Sequence, residues 1–259
     1  MRILLTGAAG FIGSVLAERL LAEDHEVHAV DDLSTGSLAA LAGARHSKAF
    51  SFTRFDCTDP MLPDLVARVR PEVACHLVRS VSPATTVAAA VGLLEASRGL
   101  RKVVMAGDAA VYGRPARVPV GERGGLAPRT PEAAAAVAVE AFVAAYGRSG
   151  GPDWTVLVLG TVSGRGSAER LLAATEVYDA LDLVHVDDVA EVFVRALGER
   201  GSKRRLNVGS GRLAASTQVR ERLGVPGQVG AEPGIALEIG GIRRALGWEP
   251  FTPPGTGLS

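Results

Sequence analysis

A regular alternation of short apolar runs with helical patterns limits this 259-residue chain to one class of fold. The apolar runs, such as RILLT and KVVM, are nearly continuous, which is typical of strands that helices cover on both faces. Strands that alternate with helices form a parallel sheet. We therefore predict an α/β fold with a doubly wound parallel sheet, whose strands span residues 2–6, 26–31, 49–54, 73–77, 102–105 and 154–159.

The charge and the cysteine content of the chain limit the kinds of partner that it can bind. The chain has 28 Lys and Arg against 28 Asp and Glu, a net charge of +0, whereas a nucleic-acid binder needs a basic surface. The two cysteines, Cys57 and Cys75, are too few for a disulfide framework or a thiolate metal site, so we expect no metal and a reducing cytoplasm. The uncharged stretch 3–17 is too short to span a bilayer, and we expect no membrane contact. Small molecules are the expected partners.

The sequence LLTGAAGFIG lies where the first strand turns into the first helix, a context that indicates a phosphate site. Gly7 permits the tight turn, Gly10 lets the backbone approach a pyrophosphate, and Gly13 lets helix and strand pack closely. Phe11 and Ile12 begin the helix, whose amide groups and positive dipole end favour an anion. We predict a dinucleotide cofactor here.

Carboxylates follow the second and third strands. Asp31 is placed to accept from an adenosine ribose diol, and the residues after it, Asp32, Leu33 and Ser34, complete the predicted contact. NADH or NADPH is the predicted cofactor, and Asp31 favours NAD because a carboxylate repels a ribose 2′-phosphate. Asp56, followed by Cys57, is predicted to touch the adenine; its alternative role is a helix cap.

Several motifs together resemble those of the extended short-chain dehydrogenase/reductase family: GAAGFIG, DDLSTG, RPEVACHL, AVYG, LVHVDDVA, LNVGSG and ALGWEP. They cover almost the whole chain in the family's order. The resemblance implies a Rossmann fold and an NAD-type site that also includes Leu77, Val78, Arg79 and Ala106, to which we add Gly160. Nucleotide-sugar epimerases and dehydratases are well-known members.

The catalytic set that the resemblance implies is missing. The family's serine or threonine, tyrosine and lysine correspond to Asp108, Glu132 and Ala136. A tyrosine serves as acid or base near neutral pH only where a cation such as lysine lowers its pKa. Asp108 and Glu132 can work as an acid and base pair; alternatively, Glu132 only complements its helix end and Asp108 only fills a turn. We expect His76 and His185 to be core histidines.

These substitutions lead to three functional hypotheses. The cationic groups that bind a sugar diphosphate are replaced, for example by Leu181, and the catalytic shelf (133–137 and 158–159) is apolar. The first hypothesis is therefore an NAD(P)H-dependent ketoreductase of an aromatic, angucyclinone-type polyketide in antibiotic biosynthesis, in which the substrate polarises its own carbonyl. The alternatives are a divergent nucleotide-sugar epimerase or dehydratase that uses Asp108 and Glu132, and a dinucleotide-binding protein without turnover.

The domain organisation is predicted from the same patterns. Residues 1–160 form a dinucleotide-binding domain, completed by 182–210, whose strands at 182–186 and 205–208 are expected to return to the main sheet. Residues 161–181 and 211–259 form a small, shortened substrate-side lobe. The segment 131–147 is predicted to be a helix that is buried all round, and with 86–97 it predicts a homodimer contact.

Overall fold

The computed structural model describes residues 1–257, which contain ten strands and eight α-helices. The strands are β1 (Arg2–Thr6), β2 (Glu26–Asp31), β3 (Phe50–Arg54), β4 (Val73–His76), β5 (Lys102–Asp108), β6 (Asp153–Leu159), β7 (Thr161–Ser163), β8 (Ala180–His185), β9 (Arg204–Val208) and β10 (Leu213–Ala215). Seven of them form one sheet in the order β3-β2-β1-β4-β5-β6-β9, with every pair parallel. The predicted doubly wound parallel sheet is confirmed.

Helices cover both faces of this sheet. They are α1 (Phe11–Ala22), α2 (Leu62–Val69), α3 (Pro83–Ala96), α4 (Pro131–Arg148), α5 (Ala168–Val177), α6 (Val186–Ala196), α7 (Ser216–Arg222) and α8 (Gly240–Leu246). Side chains alternate along each strand, so Ile3 and Leu5 enter the core under α1 and α6, while Leu4 enters the core under α2, α3 and α4. Two buried faces explain why the strand sequences are apolar throughout.

A second, three-stranded sheet has the order β10-β8-β7. The prediction that the strand over 182–186 rejoins the main sheet is therefore wrong. The strand β6 already has β5 and β9 as its two neighbours, and β8 pairs instead with β7 in parallel and with β10 in antiparallel orientation. Only β9 returns to complete the main sheet.

The carboxylate of Asp182, in β8, is buried at the centre of this smaller sheet. It accepts hydrogen bonds from the backbone N–H groups of Ser210, Gly211 and Leu237 at 2.6, 3.2 and 2.9 Å. Burial raises its pKa, and these hydrogen bonds act in the opposite direction. One side chain thus joins three segments of the chain: β8, residues 210–211 and Leu237.

The segment 211–259 differs from the predicted lobe in one respect. Ile242 and Leu246, on one apolar face of α8, lie in the main core beside α6, and Trp248, which follows the helix, lies there too. The indole Nε1–H of Trp248 donates to the Asp188 carbonyl at 3.2 Å. Residues 258 and 259, the end of the predicted lobe, lie outside the described residues.

The helix α4 is not buried all round, contrary to the prediction. Its inner face is covered by the sheet and by α3, but Phe142 is 41% exposed and Ala134 and Ala141 also face outward. Within one chain, the sheet and α3 cover only one side of this helix, and its other side faces outward. Within residues 1–257, no helix is long and apolar enough to cross a membrane.

Candidate active site

A glycine cradle, residues 7–13, joins β1 to α1. Gly7 has φ +74°, a conformation that favours glycine, and a side chain at Gly13 would collide with the Gly7 carbonyl oxygen. The helix N-cap is Gly10, which has no side chain to accept from the amides of the first turn. Free amides beside an open backbone surface fit a pyrophosphate, so the residues present suit the predicted dinucleotide.

The carboxylate of Asp31, at the end of β2, fixes the cradle to the following loop. One oxygen accepts from the Ala9 N–H at 2.9 Å and the other accepts from the Leu33 N–H at 2.8 Å. In that loop, Asp32 accepts from the N–H and the hydroxyl of Ser34 at 2.9 and 2.7 Å. The prediction omitted Gly36, where a side chain would meet the Ala9 backbone; the DDLSTG motif contained that signal.

Asp56 and Cys57 follow β3. Asp56 accepts from the N–H and the hydroxyl of Thr58, each at 2.8 Å, so it stabilises a turn, whereas the N-cap of α2 is Met61. Cys57 is buried, and burial raises the pKa of its thiol to about 12. Its thiol is therefore neutral and belongs to the hydrophobic core. The contact of Asp56 with adenine remains a prediction.

A cleft opens at the carboxyl ends of β4 and β5, between these strands and the N-terminal halves of α3 and α4. It brings together five of the predicted residues, and a sixth, Leu77, has its backbone against Gly7 of the cradle. The predicted cofactor and catalytic positions are thus neighbours. The cleft is lined by His76, Val78, Arg79, Ser80, Thr86, Ala106, Gly107, Asp108, Glu132, Ala136 and Val139.

The two carboxylates of the cleft have different surroundings. Asp108 forms an ion pair with Arg79, with 2.6 Å between Oδ2 and Nη1, and its other oxygen accepts from the Ala110 N–H at 2.8 Å. Glu132 lies in the first turn of α4, whose N-cap is Thr130, and is exposed at the cleft. Asp108 is held in place, whereas Glu132 can meet a ligand.

His76, which was predicted to be a core histidine, is the last residue of β4 and lines the cleft. Burial lowers its pKa to about 4, so the ring is neutral at physiological pH. By contrast, His185 caps α6 by accepting from the Asp187 N–H at 3.3 Å. Only one of the two strand histidines reaches the cleft.

Tyrosine does not line the cleft. The hydroxyl of Tyr112 is buried and donates to the Asn207 side-chain oxygen at 2.7 Å, and burial raises the pKa of this phenol to about 12. Tyr146 donates to Glu95 at 3.2 Å. The third tyrosine, Tyr178, lies near enough to Asp108 that, after burial, the charge of this carboxylate raises its pKa. The titratable side chains that line the cleft are those of His76, Arg79, Asp108 and Glu132.

Gly160 lies outside the cleft, between β6 and β7. Its N–H donates to the Val208 carbonyl at 2.8 Å, and a side chain there would meet the Asp182 carbonyl oxygen. The close approach of β8 explains why this position is a glycine. Its contact with a cofactor remains a prediction.

The fold and the cradle define a dinucleotide-binding enzyme of the α/β class. The sequence profile of the NAD dependent epimerase/dehydratase family matches residues 3–180. The UDP-glucose 4-epimerase of Mycolicibacterium smegmatis is 37% identical, over 96% of this chain and 94% of that protein. The chain belongs to the NAD dependent epimerase/dehydratase family, and its cofactor is NAD.

Solved structures agree with this assignment. The UDP-glucose 4-epimerase of Thermotoga maritima with UDP-glucose has a TM-score of 0.86 and 27% identity, covering 100% of this chain and 96% of that one. The UDP-glucose 4-epimerase of Thermus thermophilus in complex with NAD has a TM-score of 0.84 and 28% identity, with the same coverage. The resemblance to the extended short-chain dehydrogenase/reductase family is confirmed at the level of this epimerase and dehydratase branch.

The first functional hypothesis, an aromatic polyketide ketoreductase of antibiotic biosynthesis, is wrong. Relatives that the chain matches over most of its length are named UDP-glucose 4-epimerase, and an Actinoplanes relative, 29% identical over 86% of this chain and 81% of that protein, is named dTDP-glucose 4,6-dehydratase. The hypothesis gave the apolar shelf more weight than the two carboxylates, Asp108 and Glu132, which line one cleft together with Arg79.

Proposed function

We propose that the protein is a divergent NAD-dependent enzyme of nucleotide sugars, of the epimerase or dehydratase type, in which Glu132 and Asp108 take the catalytic positions. One observation carries the proposal: both carboxylates line a single cleft beside the glycine cradle. The names of the relatives supply the substrate class, since several act on UDP-glucose or dTDP-glucose.

The cofactor contacts are part of this proposal. The amides of Phe11 and Ile12 bind the pyrophosphate, the Asp31 carboxylate meets the adenosine ribose, and Val78, Arg79 and Ala106 form the wall on the cleft side. Asp31 retains accepting capacity for a ribose hydroxyl, because each of its oxygens accepts only one backbone N–H. NAD, when bound, accepts a hydride from a carbinol carbon of the substrate and can return it.

Glu132 handles the proton of this reaction. When the carbinol carbon gives up its hydride, the hydroxyl proton passes to the Glu132 carboxylate and a carbonyl group forms on the sugar. When the hydride returns, Glu132 gives the proton back to the oxygen. Arg79 and the Ala110 N–H each bind one oxygen of Asp108 and fix the orientation of its carboxylate. Asp108 therefore orients a substrate hydroxyl by accepting its hydrogen bond.

The test compares E132Q with E169Q in the full-length protein. Glu169 is a matched control, because it is also exposed and also lies in the first turn of a helix, α5. We expect the interconversion of UDP-glucose and UDP-galactose to fall about 100-fold or more in E132Q, with NAD affinity unchanged, and to persist in E169Q. If E132Q behaves like E169Q, Glu132 only complements its helix end and the assignment fails.

A second function, NAD binding without turnover, is favoured by the ion pair between Arg79 and Asp108 at 2.6 Å. This pair neutralises one of the two carboxylates of the cleft. Tight binding of NAD, together with no turnover of UDP- or dTDP-linked hexoses by the wild-type protein, is the result that selects this function over the first.

We also propose that the protein forms a homodimer and that it is cytoplasmic. The outward faces of α3 and α4 carry small apolar residues and Phe142, which fits a homodimer in which these helices meet their copies. Sedimentation of wild type and F142E distinguishes a dimer from a monomer. The two free, buried cysteines fit a cytoplasmic protein.

A further inference from the structure

An arginine of the substrate-side lobe lies against the first helix. Arg170 is in the first turn of α5, and its guanidinium carbon lies 4.1 Å from the centre of the Phe11 ring. Phe11 is the first residue of α1 and belongs to the glycine cradle. The contact places a permanent positive charge beside the cradle, because a guanidinium stays protonated throughout the physiological pH range.

This position disfavours a cation unless an anion binds beside it. The N-terminus of α1 is the positive end of the helix dipole, its first turn contains no acidic residue, and its N-cap is Gly10. Arg170 also lies in the first turn of its own helix, where a positive charge is again disfavoured, and Glu169 is the acidic residue of that turn. In these two first turns, one carboxylate balances two positive helix ends and a guanidinium.

The protein itself uses few of the donors of Arg170. Within residues 1–257 the guanidinium forms no ion pair and one hydrogen bond, from Nη2 to the Gly166 carbonyl oxygen at 3.4 Å. This distance is longer than that of a typical N–H···O bond, and an arginine has five N–H donors to offer. Arg170 is an exposed residue, so a ligand at the cradle can reach these donors.

We infer that Arg170 binds the pyrophosphate of NAD, together with the amides of Phe11 and Ile12. This inference rests on the proposed place of the pyrophosphate at the cradle. A guanidinium suits this group because its planar N–H donors pair with two phosphate oxygens at once. The Phe11 ring supports the guanidinium before NAD arrives, so less side-chain freedom is lost on binding. The lobe thus contributes a side chain to the cofactor site.

The binding test uses R170M, R170K and a control, R222Q, in the full-length protein. Methionine keeps an apolar stem over Phe11 but removes the charge and the donors. We expect the Kd for NAD to rise about tenfold in R170M and less in R170K, whereas adenosine, which has no phosphate, should bind all of these proteins equally. Arg222 is an exposed arginine in the last turn of α7, so R222Q should bind NAD like wild type. Wild-type NAD affinity in a folded R170M overturns the inference.

Two further measurements identify the ligand group and separate this inference from the proposed function. Salt should weaken NAD binding less in R170M than in wild type, because one charged contact is already absent. UDP should bind both proteins equally; a loss confined to UDP assigns Arg170 to the diphosphate of the substrate and overturns the inference. None of these titrations needs turnover. A tenfold loss of NAD affinity in R170M, in a protein that does not convert UDP-glucose, supports the inference and refutes the proposed reaction alone.

Discussion

The glycine cradle and the cleft meet at the same edge of the sheet, yet they are built in different ways. The cradle consists of backbone from one short segment, and the side chain that binds it from elsewhere is the carboxylate of Asp31. The cleft consists of side chains from four separate segments, 76–80, 86, 106–108 and 132–139. Binding of the dinucleotide therefore depends on chain geometry, whereas the reaction depends on which side chains the cleft holds, and the second can change while the first is retained.

The largest effect is expected from a side chain placed in the cradle. In G13V the new side chain meets the Gly7 carbonyl and the Ala8 backbone, so the turn must shift away from the helix. We expect loss of NAD binding by at least about 100-fold and destabilisation by about 1–3 kcal/mol. Calorimetric titration and urea unfolding measure the two effects.

The matched control is G99A, because a methyl group at Gly99 meets nothing within 4 Å. Its NAD affinity should equal that of wild type. If G13V retains wild-type NAD affinity, the cradle does not hold the pyrophosphate and the contrast between the two regions disappears.

A second prediction concerns Glu140, which lies on α4, the same helix as Glu132. Burial raises the pKa of Glu140, on the inner face of α4, to about 7, and Arg205, 3.5 Å away, acts against this shift. Because the folded-state pKa is above the unfolded value, the folded state binds the proton more tightly. The stability that Glu140 contributes is complete below about pH 4.5 and is lost as the pH rises through about 7.

Urea unfolding at pH 5 and pH 8 measures this effect. The decrease in the free energy of unfolding between these values should be about 1–3 kcal/mol larger in wild type than in E140Q. Equal decreases in the two proteins would show that burial does not perturb Glu140. NAD affinity should change little over the same range, because backbone amides form the cradle.

The smallest effect is expected from R79Q, which removes the partner of Asp108. Arg79 is about half exposed, and ion pairs of this kind contribute less than about 1 kcal/mol. Stability should thus stay close to that of R45Q, a change at an exposed arginine of the 3₁₀ turn Ala44–His46, while turnover falls in R79Q alone. A large loss of stability would indicate that the ion pair supports the fold.

The sequence predicted the sheet and the cradle well because both depend on local patterns. Six apolar runs identified six strands of the main sheet, and the glycine spacing located the turn into α1. The pairing of β8 was not predicted correctly, because the apolar sequence of a strand does not specify which strands lie beside it. His76 was interpreted as a core residue, and it is indeed buried; only the three-dimensional structure shows that this residue also lines the cleft.

Asp182 has a consequence for the order in which the polypeptide acquires its structure. On the ribosome, β8 leaves the exit tunnel well before residues 210, 211 and 237, whose amides its carboxylate needs. Until Leu237 has left the tunnel, this acidic side chain lacks one of its amide donors and has to stay hydrated, so the smaller sheet cannot be completed earlier. Nascent chains halted before Leu237 should carry an open second sheet and a main core that still lacks Ile242, Leu246 and Trp248.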